Sequence, residues 1–352
     1  MLTTVGAFVG ILVVLIIAHE FGHFIAAKAS RVRVDEFGLG FPPRVLSVKR
    51  GETIYSLNAI PLGGFTKMAG EEDPKVPRSL ASKRIGTRLL VLSAGSLMNV
   101  ILPLLLFSIA FMVPHNVVMG KVMIEEVALN SPAAMAGIET GDTLLSFNQK
   151  PVHNISDLQR YIQLNLGEES TLVVQHSDST TESVQVVPRW RPPEGQGAIG
   201  ITVRLVDATI VRQSEPAWRA APLAVSSCVE TFVLFKYGII GIASGTTPFE
   251  VAGPVGIAQI TGEVAKAGIS PLLEFAAFLS INLALINIFP LPALDGGRIV
   301  FVLLEWVRRG KRVAPKTERL VHFIGFAALI TAIIVITYRD IIRIISGGSL
   351  IP

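Results

Sequence analysis

Val5-Gly6-Ala7-Phe8-Val9-Gly10-Ile11-Leu12-Val13-Val14-Leu15-Ile16-Ile17-Ala18-His19-Glu20-Phe21-Gly22-His23 decides how the rest of the chain is read. An uncharged apolar run leads directly into His-Glu-x-x-His. On an α-helix, residues four apart are offset by about 40° and rise roughly 6 Å, so His19 and His23 share a face. Glu20 lies one step round, within reach of a water on a metal held by the two imidazoles, as hydrolytic zinc chemistry requires. Ionisable side chains at membrane depth are costly to insert and are read as functional by default.

Composition agrees with a membrane setting. Half of the 352 residues are apolar and only 16% are charged, with a mean hydropathy of +0.56. That balance indicates an integral membrane protein with a smaller aqueous part. A net charge of +4 is too modest to indicate a nucleic-acid-binding surface, so no nucleic acid is expected as partner. Cys228 is the single cysteine, which excludes an internal disulfide and a cysteine-rich metal site. The N-terminus has no basic region and no small-residue cleavage site, so it reads as a retained helix rather than a signal peptide.

Four segments are long enough for a hydrocarbon core of about 30 Å: 4–27, 89–113, 271–289 continuing to 306, and 320–338. A fifth, 218–244, carries Glu230 and Lys236 and reads as an interfacial or elbow helix. Residues 28–88 contain twelve Lys or Arg, and 305–319 contain six, whereas 114–215 hold seven against twelve Asp or Glu. The positive-inside rule puts the two basic segments in the cytoplasm and the acidic one outside. His23 then lies towards the cytoplasmic end of the first helix. The basic run Arg308–Arg312 reads as a topology signal that could also meet anionic lipid.

Residues 114–215 read as a compact β-rich domain, with strands expected at 121–127, 143–147, 170–175 and 183–187. Short helices are expected at 132–136 and 156–164, the second capped by Ser156. Ser131-Pro132-Ala133-Ala134, Ala136-Gly137-Ile138 and Gly141-Asp142-Thr143-Leu144-Leu145-Ser146-Phe147-Asn148 are similar to PDZ domains of bacterial envelope proteases. Such a fold adds a peptide at a sheet edge, so a peptide ligand is a possible partner. On the basic side, 45–49 and 53–57 flank Arg50-Gly51-Glu52 as a β-hairpin, followed by Pro61-Leu62-Gly63-Gly64-Phe65. The hairpin reads either as a surface loop or as re-entrant towards the site.

Zinc needs a third protein ligand and an open position. Asn287-Ile288-Phe289-Pro290-Leu291-Pro292-Ala293-Leu294-Asp295-Gly296-Gly297 offers one. Its prolines break a helix between apolar segments, as happens where backbone lines a cavity, and Asp295 could complete a His-His-Asp site. Asp-Gly is also an ordinary turn pair.

HEFGH in the first span, N-x-x-P-x-P-x-L-D-G-G in the third and a PDZ domain between them together resemble the site-2 proteases, in particular the bacterial RseP-type group. Pro61–Met68, Gly253-Pro254-Val255-Gly256-Ile257-Ala258 and Ser280-Ile281-Asn282-Leu283 are also similar to that group. The resemblance implies an intramembrane zinc metalloprotease with one Zn2+ per chain, held by His19, His23 and Asp295, with Glu20 as catalytic acid/base. It implies that Asn282 and Asn287 hold an extended substrate, and Asn99 falls at a polar second-helix position grouped with them. The bland alternative for all three is hydrogen bonding between helices. The implied substrates are transmembrane proteins such as anti-sigma factors, or remnant signal peptides, in a bacterial inner membrane. Larger members carry two PDZ domains; this chain has room for one.

The expected fold is an α-helical polytopic membrane protein of four transmembrane helices, with an inserted extracytoplasmic PDZ domain and a cytoplasmic-side re-entrant β-hairpin. Its expected segments are 1–27 (first helix), 28–88 (loop and hairpin), 89–113 (second helix) and 114–206 (PDZ domain). Then follow 207–268 (linker and elbow helix), 269–306 (third membrane segment), 307–319 (basic loop) and 320–345 (fourth helix). A membrane PDZ scaffold with a degenerate site would lack the four intact positions. A zinc transporter would not need Glu20 between the histidines.

Overall fold

The computed structural model describes residues 2–71, 73–245 and 252–346. The expected linker over 207–268 therefore lies partly outside the described residues. The chain separates into two compact units, one of residues 1–112, 216–228 and 251–352, the other of 113–215 and 229–250.

In the first unit, α1 (Leu2–Ala29) carries the HEFGH motif and α2 (Ile85–Met112) packs against it. Between them, β1 (Val34–Arg50) and β2 (Thr53–Met68) form more than the expected hairpin. Residues 44–50 run antiparallel to 53–58, with Lys49 opposite Ile54 and Arg44 opposite Asn58. Residues 36–39 then pair on both sides: Glu36 to Leu39 follow Ile54 to Leu57 in the same direction, and Leu39 to Val34 meet Gly64 to Met68 in the opposite one. Each long strand thus folds back, giving four short rows in the order 44–50, 53–58, 34–39, 64–68. Phe41-Pro42-Pro43 supplies one corner, where proline cannot donate to a ladder. Residues 34–39, which have no place in the expected hairpin, form one of the two inner rows.

This sheet is fastened to α1. Phe24 meets Phe37 and Tyr55 edge-on at ring-centroid distances of 5.4 and 6.0 Å, and the Thr66 hydroxyl donates to the Glu20 carbonyl at 2.9 Å. Ala27, Val32, Val34, Met68, Val91 and Val302 close the core beneath it.

The expected third membrane segment is two helices. α7 (Ile269–Ile288) stops at the Pro290/Pro292 pair, and α8 (Asp295–Val307) starts at Asp295. The far end of α8 is locked by Glu305, 7% exposed, which accepts from Arg88 at 2.6 Å and Arg312 at 3.1 Å. Arg312 is thus a structural partner as well as part of a basic run. α6 (Pro254–Ala267) opens on the Gly-Pro-x-Gly motif, and its Gly256 N–H donates to buried Asp340 of α9 (Pro315–Ile345) at 2.8 Å. An acceptor from another helix thereby satisfies an orphan N-terminal donor.

Among the described residues five helices are long and apolar enough to cross a membrane: α1, α2, α7, α9 and also α5 (Ala217–Ala243), the segment expected to be interfacial.

The second unit holds a six-stranded antiparallel sheet. β3 (His115–Val127), β4 (Thr143–Phe147), β6 (Ser170–Gln175) and β7 (Thr181–Val186) take the expected strand positions. β5 (Lys150–Pro151) pairs with β4. β8 (Ile201–Gln213) has no counterpart among the expected strands; it runs along β3 from Val127/Ile201 to His115/Gln213. α3 (Pro132–Met135) is capped by Ser131. α4 (Ile155–Leu164) is capped by Asn154, whose side chain accepts from Asp157 N, rather than by Ser156. The core is Val122, Ile124, Leu144, Phe147, Leu158 and Leu172, each 2% exposed or less, and each such side chain contributes about 1.5–3 kcal/mol.

His176 joins buried Asp142 at 2.9 Å and Glu182 at 3.3 Å. The hydrogen bonds to these two carboxylates, Asp142 foremost, raise its pKa above the usual 6.5. The pairing therefore stabilises the unit fully below pH 6.5 and is lost as pH rises through the raised value. An NMR titration of the His176 ring should give a midpoint above 6.5, and His176→Gln should flatten the alkaline decline in unfolding temperature. A midpoint at or below the usual value would contradict this pairing.

Candidate active site

His19 and His23 leave α1 on the face that meets α2. Close approach of the two helices depends on glycine. A Cβ at Gly22 would lie 2.3 Å from the Ala94 carbonyl, and one at Gly95 would lie 2.3 Å from His23 Nε2 and 2.7 Å from His19 Cε1. Gly95 therefore leaves the volume in which the two imidazoles face each other.

Asp295 arrives from the start of α8. The break before it is tight: Leu291 N donates to Phe289 O at 2.7 Å, and a Cβ at Gly296 would sit 1.9 Å from the same carbonyl. Ala293 takes a positive φ of 77°, and its N–H donates to His322 Nδ1 at 3.0 Å. His322, an ordinary residue by spacing, thus anchors the loop that delivers the carboxylate. As the first residue of α8, Asp295 also lies where a helix dipole favours negative charge.

The three side chains converge. His23 Nε2 is 3.0 Å and His19 Nε2 3.1 Å from Asp295 Oδ2, and the two Nε2 atoms are 3.3 Å apart. Tetrahedral zinc with ligand bonds of 2.0–2.2 Å separates its donors by roughly 3.3 Å. His23 Nδ1 donates to the Val91 carbonyl at 2.8 Å, so Nδ1 carries a proton and Nε2 is the nitrogen available to a metal. With both Nε2 atoms unprotonated, two lone pairs and a carboxylate oxygen at these separations repel one another unless a cation lies between them. The gap kept open by Gly95 supplies room for that cation. The residues fit zinc.

Beside the cluster is a cavity of about 460 Å³ lined by Glu20, His23, Phe41, Thr66, Asp295 and Arg298, among others. Residues 64–68, the free edge row of the sheet, form one wall. Arg298 is held by Glu71 at 2.7 Å; neither residue stands out by motif spacing. Asn99 is fully buried, with its amide 3.4 Å from His19 Nδ1. Asn282 is half-buried and donates to Phe278 O of its own helix at 2.8 Å. Asn287 is half-buried in the last turn of α7. The structure thus brings His19, His23 and Asp295 into one cluster, sets Glu20, His23 and Asp295 along the cavity beside it, and places Asn99 behind His19.

A bundle of apolar helices that clusters two histidines and an aspartate beside a cavity also lined by a glutamate defines a membrane metallopeptidase. The family model of Peptidase family M50 matches residues 7–332, and the chain belongs to that family, the site-2-type membrane zinc metalloproteases. A protein of Clostridium acetobutylicum named as a zinc metalloprotease is 37% identical over 94% of this chain and 94% of its own length. The regulator of sigma-W protease RasP of Bacillus subtilis is 27% identical over 97% of this chain and 99% of its own. The chain is an intramembrane zinc protease. The PDZ domain of an SdrC-like protein from Listeria innocua aligns with 24% of this chain and 96% of its own, at 18% identity and a TM-score of 0.22. The PDZ-like reading rests instead on the motif residues given above and on the sheet order β7-β6-β4-β3-β8.

Gly95→Ala fills the space between the imidazoles. Metal analysis of the purified variant should find stoichiometric zinc lost while the helical content by circular dichroism is kept; zinc retained at the wild-type level would refute the cradle.

Proposed function

We propose that this chain cleaves peptide bonds within transmembrane segments of other proteins, using one zinc ion on His19, His23 and Asp295 and Glu20 as acid/base. The observation that carries this reading is the convergence of two Nε2 atoms and one carboxylate oxygen within 3.3 Å, from α1 and α8. Zinc bound there would supply Lewis acidity to the scissile carbonyl and lower the pKa of a water to about 7. Glu20, which lines the cavity, would accept a proton from water there and return it to the leaving amine. Asp295 and His23 hold their geometry through the α8 start and the Val91 carbonyl, so little reorganisation accompanies the reaction.

A helical peptide bond is shielded by its own hydrogen-bond ladder, so the substrate must unwind locally. Residues 64–68 offer a sheet edge along the cavity, where an extended substrate would regain backbone hydrogen bonds as an added strand. Asn282 and Asn287 near the end of α7 would hold its flanks. Re-entrance of the sheet is supported by its outer row: Val45, Leu46 and Val48 are 59–69% exposed. Neighbours along a strand face opposite sides, so both faces are apolar there, which suits lipid better than water.

The basic segments support an active site towards the cytoplasm and a PDZ-like unit outside a bacterial inner membrane. The interfacial reading of α5, and hence four spans, is supported by Glu230, which pairs with Lys150 at 3.0 Å and with Arg160, and by Tyr237, which donates to Glu168 at 3.1 Å. Those partners belong to the aqueous unit. Anti-sigma-factor-like proteins fit the substrate class, in keeping with the sigma-W regulator named among the relatives. Remnant signal peptides fit the same chemistry.

Glu20→Gln should lower cleavage of a model transmembrane substrate about 10²–10⁴-fold with zinc content unchanged. Activity surviving in that variant would sink the acid/base assignment. Successive residues of a strand point their N–H groups in opposite directions, so proline at Phe65 or at Thr66 removes one outward donor. One of these two variants should cut poorly while retaining zinc; normal cleavage by both would rule out strand addition.

A further inference from the structure

Three residues of α2 face the metal cluster at helical spacing. Val91, Gly95 and Asn99 are four apart, so they lie one above the other on a single face. The antiparallel α1 presents His23 opposite Val91 and His19 opposite Asn99, with Gly95 between the two rings. Val91 supplies a carbonyl acceptor to His23 Nδ1 at 2.8 Å. By the same geometry His19 Nδ1 needs an acceptor, because its Nε2 is the end turned towards His23 and Asp295.

Asn99 is the group in that position. Its side-chain nitrogen stands 3.4 Å from His19 Nδ1, and its Oδ1 is buried with no hydrogen-bond partner. With the His19 proton on Nδ1 this arrangement sets donor against donor and leaves an acceptor orphaned. A half-turn of the amide exchanges two groups of nearly equal size and delivers Oδ1 to the Nδ1–H. The residue itself cannot drift: Asn99 is 0% exposed, and its backbone carbonyl accepts from buried Ser280 of α7 at 2.9 Å.

We propose that Asn99 is a positioning residue for the metal centre, whose side-chain oxygen accepts the Nδ1 proton of His19 and so fixes the tautomer that presents Nε2. It acts through His19, without contact to substrate. The α2 face is then a two-acceptor template, Val91 for one imidazole and Asn99 for the other, with Gly95 leaving the gap between. This rests on the reading of His19, His23 and Asp295 as zinc ligands. Hydrogen-bond partners of ligating histidines typically carry 10–100-fold in metal affinity.

The test compares full-length wild type, Asn99→Leu and Asn99→Asp in detergent, by zinc affinity in chelator competition and by the absorption spectrum of the cobalt-loaded forms. Leucine keeps the branched shape, slightly enlarged, and has no acceptor, so it should weaken zinc binding 10–100-fold and shift the cobalt bands. Aspartate is acceptor only, so it should bind zinc at least as tightly as wild type. In zinc-loaded wild type, ¹⁵N-histidine NMR should show a protonated, slowly exchanging Nδ1 on His19. Wild-type affinity and an unshifted cobalt spectrum in Asn99→Leu would overturn the proposal, as would an Asn99→Asp as weak as the leucine form. Should Asn99→Leu fail to fold, the aspartate variant and the NMR signature decide. A wild-type chain that binds no zinc would instead sink the ligand reading on which this stands.

Discussion

Two imidazoles and a carboxylate can be held within 3.3 Å of one another in an apolar bundle only if something cancels their mutual repulsion and their desolvation. The rest of the first unit is arranged around that requirement. Glycines at 22 and 95 let α1 and α2 approach until the rings face each other, and α2 supplies the acceptor that fixes the tautomer of His23. The helix that would have carried Asp295 past the site is broken at 290–292 and restarted, so that the carboxylate enters end-on. Glu305, clamped by Arg88 and Arg312, ties the other end of α8 to α2 and to the loop before it. Breaking one partner of such a buried pair typically costs about 3–5 kcal/mol, because a charge is left uncompensated.

The sheet solves a second problem set by the same environment. An intramembrane protease must keep a peptide bond extended where water cannot satisfy its backbone. Four short rows folded from two long strands put a free edge at 64–68 beside Glu20 and Asp295, and tether it to the catalytic helix through Thr66. One hydroxyl-to-carbonyl bond thereby couples the edge to Glu20, the residue proposed as acid/base.

Charge and pairing divide the remainder of the chain between lipid and water. α9 exposes most of its length, as a lipid-facing helix does, yet buries Asp340 to cap α6. α5 is long enough to cross a membrane and apolar enough by composition. Its Glu230 and Tyr237 nonetheless take partners from the β-rich unit, and composition alone does not carry that information.

Much of this was legible in the sequence. His-Glu-x-x-His in an uncharged run implied a helix, a shared face and a metal, because helical geometry converts spacing into direction. The double proline before Asp295 implied a break, because proline cannot continue a ladder. Strands 143–147 and 170–175 followed from local pattern. Sequence could not show that 34–39 pairs on both sides, since its partners are 18 and roughly 30 residues away and in opposite senses. Nor could it show that Asn154 rather than Ser156 caps α4, since both are good caps and the turn geometry chooses. His322, Arg298 and the Val91 carbonyl carry no motif at all; each matters through what folding brings near it. Residue chemistry and helical period, both local, pointed to the metal-binding pair, the proposed base and the membrane setting. Tertiary structure decided which groups hold the histidines in place and which sheet edge borders the cavity, because hydrogen-bond partners distant in the chain are selected by packing, not by spacing.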